Sequence, residues 1–151
     1  MLWRPFSVLV AIVAFCAGLM AQNEPFLGIW EFNLAKSNIT RGVPPKSQTF
    51  VMVPAPGGFK SVRATIRGDG TTNVEIHHYN FDGNFHQTEG GDPRELSFKR
   101  LDQYTIEETA RRNRNGQIAI SKRRIEVSKD GKTKTIRSLS GDNDVRVYDK
   151  K

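Results

Sequence analysis

From Gly28 onward the chain is cut into short β-rich runs by glycine, aspartate and asparagine, and no run carries the 3.6-residue periodicity of an amphipathic helix. That interruption limits the fold more than any other feature. Strands are expected over 28–33, 47–53, 59–67, 72–81, 95–100, 104–111, 117–127, 133–140 and 144–149, with a brief one around 84–88. Gly68-Asp69-Gly70, Asp82-Gly83, Asn115-Gly116 and Asp130-Gly131 supply reversals, because glycine enters positive φ and Asp or Asn bonds nearby backbone. Lys129-Asp130-Gly131-Lys132 reads as the tightest hairpin. Pro44-Pro45 and the stretch 54–58 read as loops within one domain, and 34–46 has room for one helical turn.

Period two then assigns faces. Val62, Ala64 and Ile66 share one face, as do Val74, Ile76 and His78, and Leu96 and Phe98. Tyr104, Ile106, Glu108 and Ala110 form an apolar face broken by one carboxylate. In 117–127, Ile118 and Ile120 have one parity and Ile125 and Val127 the other, so a β-bulge is expected to turn both pairs inward. The implied fold is all-β: a single antiparallel up-and-down barrel of about eight to ten strands, since closure removes exposed edges.

The first 21 residues follow a different plan. Met1-Leu2-Trp3-Arg4 is a basic start, 6–19 is apolar apart from Ser7, and Ala21 precedes polar Gln22-Asn23-Glu24. This is the layout of a secretory signal peptide, so 1–21 is expected to be removed and 22–151 to form the barrel. Retention as an uncleaved anchor is the alternative. Export implies a secreted or periplasmic protein with no mature transmembrane segment. The single cysteine, Cys16, lies in the leader behind bulky Phe15 and reads as an ordinary apolar member of it. The mature fold therefore has no disulfide and depends on its core.

The net charge of +7 favours solubility and attraction to anionic surfaces. Its basic runs, 111–114 and 122–124, are short and lack interleaved aromatics, so no specific nucleic-acid partner is expected. No nucleophile elbow, catalytic triad or dinucleotide fingerprint is present; no catalytic residue, cofactor or metal is assigned. His77 and His78 alternate across a strand and His86 follows the next turn, which is not a metal-ligand spacing.

The two ends carry a resemblance. Gly28-Ile29-Trp30 opens the first strand, and Arg146-Val147-Tyr148 lies on the last. Together they resemble the calycin group, lipocalins and fatty-acid-binding proteins, which have Gly-x-Trp early and, in the latter, Arg-x-Tyr on the final strand. The stretch 26–49 is also similar to small exported bacterial lipocalin-like proteins of unknown function. The resemblance implies packing roles for Gly28 and Trp30 and contact with a ligand carboxylate for Arg146 and Tyr148. The lid helices of fatty-acid-binding barrels have no counterpart in 34–46, and the cysteine pairs of secreted lipocalins are absent.

If a cavity exists, its ligand-facing set is expected to be Arg146, Tyr148, Tyr104, Phe98, Ile106, Glu108 and His78, an arginine fork and a phenol above apolar walls. Val62, Ile76, Ile118 and Ile120 are further candidates for those walls, or for a solid core. Three functions follow: a binding protein for a small hydrophobic or anionic ligand, an interaction module with an envelope protein partner, and an enzyme whose groups are scattered in sequence. In the second, Arg146 pairs internally with Glu108 or another acid.

Overall fold

The computed structural model describes residues 24–151. Ten strands follow in order: β1 (Gly28–Asn38), β2 (Ser47–Ala55), β3 (Gly58–Ile66), β4 (Thr72–Asn80), β5 (His86–Gln87), β6 (Glu95–Asp102), β7 (Thr105–Arg114), β8 (Gln117–Val127), β9 (Thr133–Ser138) and β10 (Val145–Lys150). Each expected strand is present. The leader, 1–21, lies outside the described residues. Among the described residues no helix is long and apolar enough to cross a membrane.

All strands belong to one antiparallel sheet in the order β4-β3-β2-β1-β10-β9-β8-β7-β6-β5. Every neighbour is consecutive in sequence except β1 and β10, which join the two halves through Trp30↔Lys150 and Phe32↔Tyr148. The remaining gap, between β4 and the β5–β6 region, is bridged where Ile76 and Glu89 exchange backbone hydrogen bonds of 2.9 and 3.1 Å. The result is a nearly closed up-and-down barrel, consistent with the calycin architecture.

Turn chemistry sets the register. Asn115 (φ 53°) and Gly116 (φ 81°) both occupy positive φ between Arg114 and Gln117, the two-residue turn that matches strand twist. This is the tight hairpin. The Asp130-Gly131 reversal is a longer loop, closed by Ser128 N–H to Thr133 O and Gly131 N–H to Ser128 O. In 34–46 no helical turn forms. β1 continues to Asn38 across a register shift, where the Asn33 side chain accepts from Lys36 N–H and Ser37 Oγ donates to Asn33 O. Asn33 and Ser37 satisfy locally the groups a helix would have paired.

The parity expected for β3 and β4 is reversed. Phe59, Ser61 and Arg63 on β3, and Glu75, His77 and Tyr79 on β4, point inward; Ile66 and Val74 are exposed. No bulge occurs within the β7–β8 ladder, which runs unbroken from Thr105↔Glu126 to Arg114↔Gln117. Ile125 and Val127 are therefore buried, while Ile118 and Ile120 are 61% and 63% exposed.

The core is concentrated at one end. Trp30, Phe26, Phe59, Tyr79 and Phe98 are buried there, with Tyr79 stacked on Phe98 across the seam at 4.0 Å between centroids. Moving along the barrel, the inward residues change character at two-residue steps. Met52 and Phe50 give way to Gln48 on β2, and Tyr79 to His77 and Glu75 on β4. Val127 and Ile125 give way to Arg123 on β8, and Tyr148 to Arg146 on β10. One half of the interior is aromatic; the other is charged.

Candidate functional site

The charged half is built around Glu75. Its carboxylate accepts from Arg63 directly across the β3–β4 ladder and from Arg94 at 2.6 and 3.3 Å. His77 Nε2 lies 3.0 Å from Glu75 Oε2 and 3.1 Å from Arg94 Nη2. Arg94 can only donate and the carboxylate only accept, so the ring nitrogen serves one of them at a time. Burial by itself would raise the Glu75 carboxyl; hydrogen bonding by His77 and the Arg63 and Arg94 charges outweigh it and hold the group well below the usual carboxylate range. Such a carboxylate is a poor proton acceptor. Burial pulls His77 down despite the pull of Glu75, which favours a neutral ring.

Two guanidinium groups for one carboxylate leave this buried centre cationic, and more arginines face it. A cavity of about 230 Å³ opens beside it, with Gln48, Thr65, Asn73 and Glu75 among its walls. Six arginines line it, Arg63, Arg67, Arg94, Arg112, Arg123 and Arg146, against two carboxylates, Glu75 and Asp92. Their partners are few. Arg146 Nε donates to Asp144 at 3.1 Å, and Arg123 approaches Glu108 only to 3.8 Å. Among the described residues Arg112 makes no ion pair, and its pKa is lowered first by burial and then by the Arg94 charge. Arg63 Nε is buried without a hydrogen-bond partner.

A second polar cavity of about 330 Å³ shares Arg94, Arg112 and Arg123 with the first and adds Glu108, Arg41 and Arg114. A wider cleft of about 470 Å³ adjoins the first cavity, sharing Gln48, Thr65, Arg67 and Arg146 with it and reaching Val43, Pro45 and Gly68. The segment after β1 forms its lip, strapped to the β9–β10 loop where the Asp144 carboxylate accepts from Thr40 N–H.

Arg146 and Tyr148 share the inward face, at different depths. Arg146 is a wall of the polar cavity, whereas Tyr148 lies in the aromatic half and donates to Gln48 Oε1 at 2.5 Å. Burial pushes the Tyr148 hydroxyl up to about 12, so it stays a donor. Gln48 in turn donates to Thr65 Oγ1 and lines the cavity, linking the two levels. Arg146 pairs with Asp144, while Glu108 sits on the wall of the second cavity. Phe98 and Ile106 are buried in the aromatic core, and Tyr104 is half-buried at the β6–β7 turn. His78 lies on the opposite face of β4 from Glu75 and pairs with Glu89 at 2.7 Å, apart from the others. Trp30 is fully buried and donates to Phe26 O at 2.8 Å; Gly28 has φ 116°, and a Cβ there would meet the Lys150 side chain.

His77, His78 and His86 each pair with a different acid, Glu75, Glu89 and Asp82. Among the described residues no group of three or more His, Cys, Asp or Glu is placed to hold a metal ion.

Sequence reasoning missed Arg63, Glu75, His77, Arg94, Arg112 and Arg123. A signal for the first pair exists: counting back equally from the Asp69 turn puts Arg63 opposite Glu75, an opposite-charge cross-strand pair. Comparison of the chain with family models, curated proteins and solved structures gives no match.

Proposed function

We propose that this chain is an exported binding protein that holds a small anionic ligand in the arginine-lined mouth of its barrel. One observation carries the reading: a polar cavity where six arginines face two carboxylates and Arg112 has no ion-pair partner among the described residues. Excess guanidinium gathered in one recess repels itself, and an incoming anion relieves that repulsion while accepting forked hydrogen bonds. The aromatic half supports the mouth from below. Export rests on the signal-peptide pattern of 1–21.

Calorimetric titration of the mature chain with citrate and, separately, with glycerol as a neutral comparison tests the reading. Citrate should bind at low ionic strength and weaken as salt is added, glycerol should not bind, and Arg112→Met and Arg146→Met should each weaken citrate about tenfold. Failure of both citrate and inorganic phosphate to bind, or citrate binding to both variants as tightly as to the unaltered chain, would overturn it.

A second reading, docking to an envelope protein, draws on Ile118 and Ile120, exposed at the end of the β7–β8 hairpin beside Arg114 and Lys122. Crosslinking in the native host with a photoreactive residue at 118 distinguishes it. A single discrete adduct would favour docking; its absence beside retained citrate binding would favour the mouth.

A further inference from the structure

We infer that the mouth is built for a tetrahedral oxyanion of at least two negative charges, the dianionic phosphate group of a monoester or of free phosphate, rather than for a carboxylate with an apolar tail. The inference rests on the anion-binding reading above and names its ligand class.

The direction of the donors carries the argument. Arg63 comes from β3, Arg94 from the segment entering β6, Arg112 from β7, Arg123 from β8 and Arg146 from β10, so guanidinium groups reach one cavity from around the barrel wall. A carboxylate places its acceptor lone pairs in one plane and is matched by one fork, or two. A phosphate group offers three strong acceptor oxygens pointing apart, which suits donors arriving from several walls.

Charge points the same way. Glu75 answers only one of the two guanidinium groups bonded to it, Asp144 is engaged with Arg146, Glu108 stands 3.8 Å from Arg123, and Asp92, whose charge acts on Arg112, is the one other carboxylate on the lining. Arg112 adds a further cation with no ion pair among the described residues. One negative charge would leave part of this excess uncancelled; two match it more closely. Arg63 Nε, buried and without a partner, is a donor that the protein itself does not use.

The immediate walls of the cavity favour a polar ligand. Apart from the arginine stems, Gln48, Thr65, Asn73, Glu75 and Asp92 complete the lining of the 230 Å³ cavity, and no aliphatic or aromatic side chain is among them. An acyl tail would find no apolar contact there. The apolar surface near Val43 and Pro45 lies in the adjoining cleft, which shares Gln48, Thr65, Arg67 and Arg146 with this cavity, so a long-tailed carboxylate such as laurate is the competitor that the titration includes.

Phenyl phosphate and benzoate share a ring and differ in head group, so titrating both into the mature chain at pH 7.5 isolates the class. A phosphate monoester then carries nearly two charges, its second pKa being about 6, against one for benzoate. Phenyl phosphate should bind about tenfold or more tighter. Arg112→Met, which removes one cation, should reduce that preference several-fold, whereas Arg112→Lys, which keeps the charge, should retain more of it; Arg123→Met and Arg123→Lys give the same readout if the first pair fails to fold. Inorganic phosphate competing as well as phenyl phosphate would identify the free ion, and a weaker result an ester. Benzoate or laurate binding as tightly as phenyl phosphate, with loss on Arg112→Met, would overturn the phosphate assignment and leave the anion site standing. Binding of none of these anions would remove both.

Discussion

Lys134 sits in the middle of the aromatic half, 1% exposed, with its Nζ 3.7 Å from the Phe50 ring centre and 4.9 Å from that of Tyr148. Its other near neighbours are the Trp30 ring, at 5.4 Å, and Met52 Sδ, at 3.8 Å. No carboxylate pairs with it among the described residues; ring faces give a cation partial compensation. Burial, and then the charge of Arg63, pulls its pKa well below 10.5. The folded state therefore binds fewer protons than the unfolded chain between the lowered value and 10.5, and stability must rise with pH across that window. Lys134→Met should raise stability at pH 7 by about 1 kcal/mol or more, because it removes the desolvation that pulls the amine's pKa down. It should also flatten the rise in melting temperature between pH 7 and 10. Urea titration and thermal melts check both; a less stable variant at pH 7 would show that the amine contributes net attraction to the rings. Only the packed structure reveals this lysine, because the strand expected over 133–140 does not by itself say that one of its lysines faces aromatic rings.

The β7–β8 hairpin shows how far an element can be read from its own residues. Its turn, Asn115-Gly116, and its extent follow from local chemistry. Its facing does not. Ile118-x-Ile120 and Ile125-x-Val127 have equal hydrophobic claims and opposite parity, and a bulge would have reconciled them. The ladder stays regular instead, because Arg123 and Ser121 continue the inward parity of Ile125 into the polar mouth. Ile125→Ala should cost about 2–5 kcal/mol, as for other buried large-to-small changes. Ile118→Ser and Ile120→Ser should stay within about 0.5 kcal/mol. Chemical denaturation of the three variants measures this, and a large cost at Ile120 would restore the bulged register. The same reasoning explains β3 and β4, where the apolar set Val62, Val74 and Ile76 faces away from an interior occupied by Arg63, Glu75 and His77.

At the scale of the whole molecule the seam is the weak line. β3 and β4 pair through nine residues from Gly58↔Asn80 to Ile66↔Thr72, but among the described residues the backbone of β4 pairs with the other edge only at the Ile76↔Glu89 bridge. Gly90, at φ 72°, lets the chain pass against β4, since a Cβ there would collide with the Val74 carbonyl. Gly90→Ala should open this edge first. Hydrogen exchange at the Ile76 and Glu89 amides should quicken about tenfold or more while the β3–β4 ladder remains protected; uniform change across the barrel would mean that the seam unfolds only with the rest. Arg94 follows Gly90 and Gly91 and bonds Glu75 across this seam, so closure and the charged mouth are coupled.

The strand sequence, most reversals and the meander were legible because turn residues and β-rich runs are local properties, set by φ preferences and side-chain shape. Alternation along one strand put Arg146 and Tyr148 on a common face, since that needs no tertiary information, while the resemblance of the two chain ends suggested them as ligand contacts. The depth separating them, the inward parity of β3 and β4, and the convergence of arginines from four strands and the segment before β6 were decided by tertiary structure. Hydrophobic alternation identifies the inside only where the inside is apolar. Here barrel closure encloses charge at one end, and a buried charge is tolerable only beside partners that arrive from distant parts of the chain.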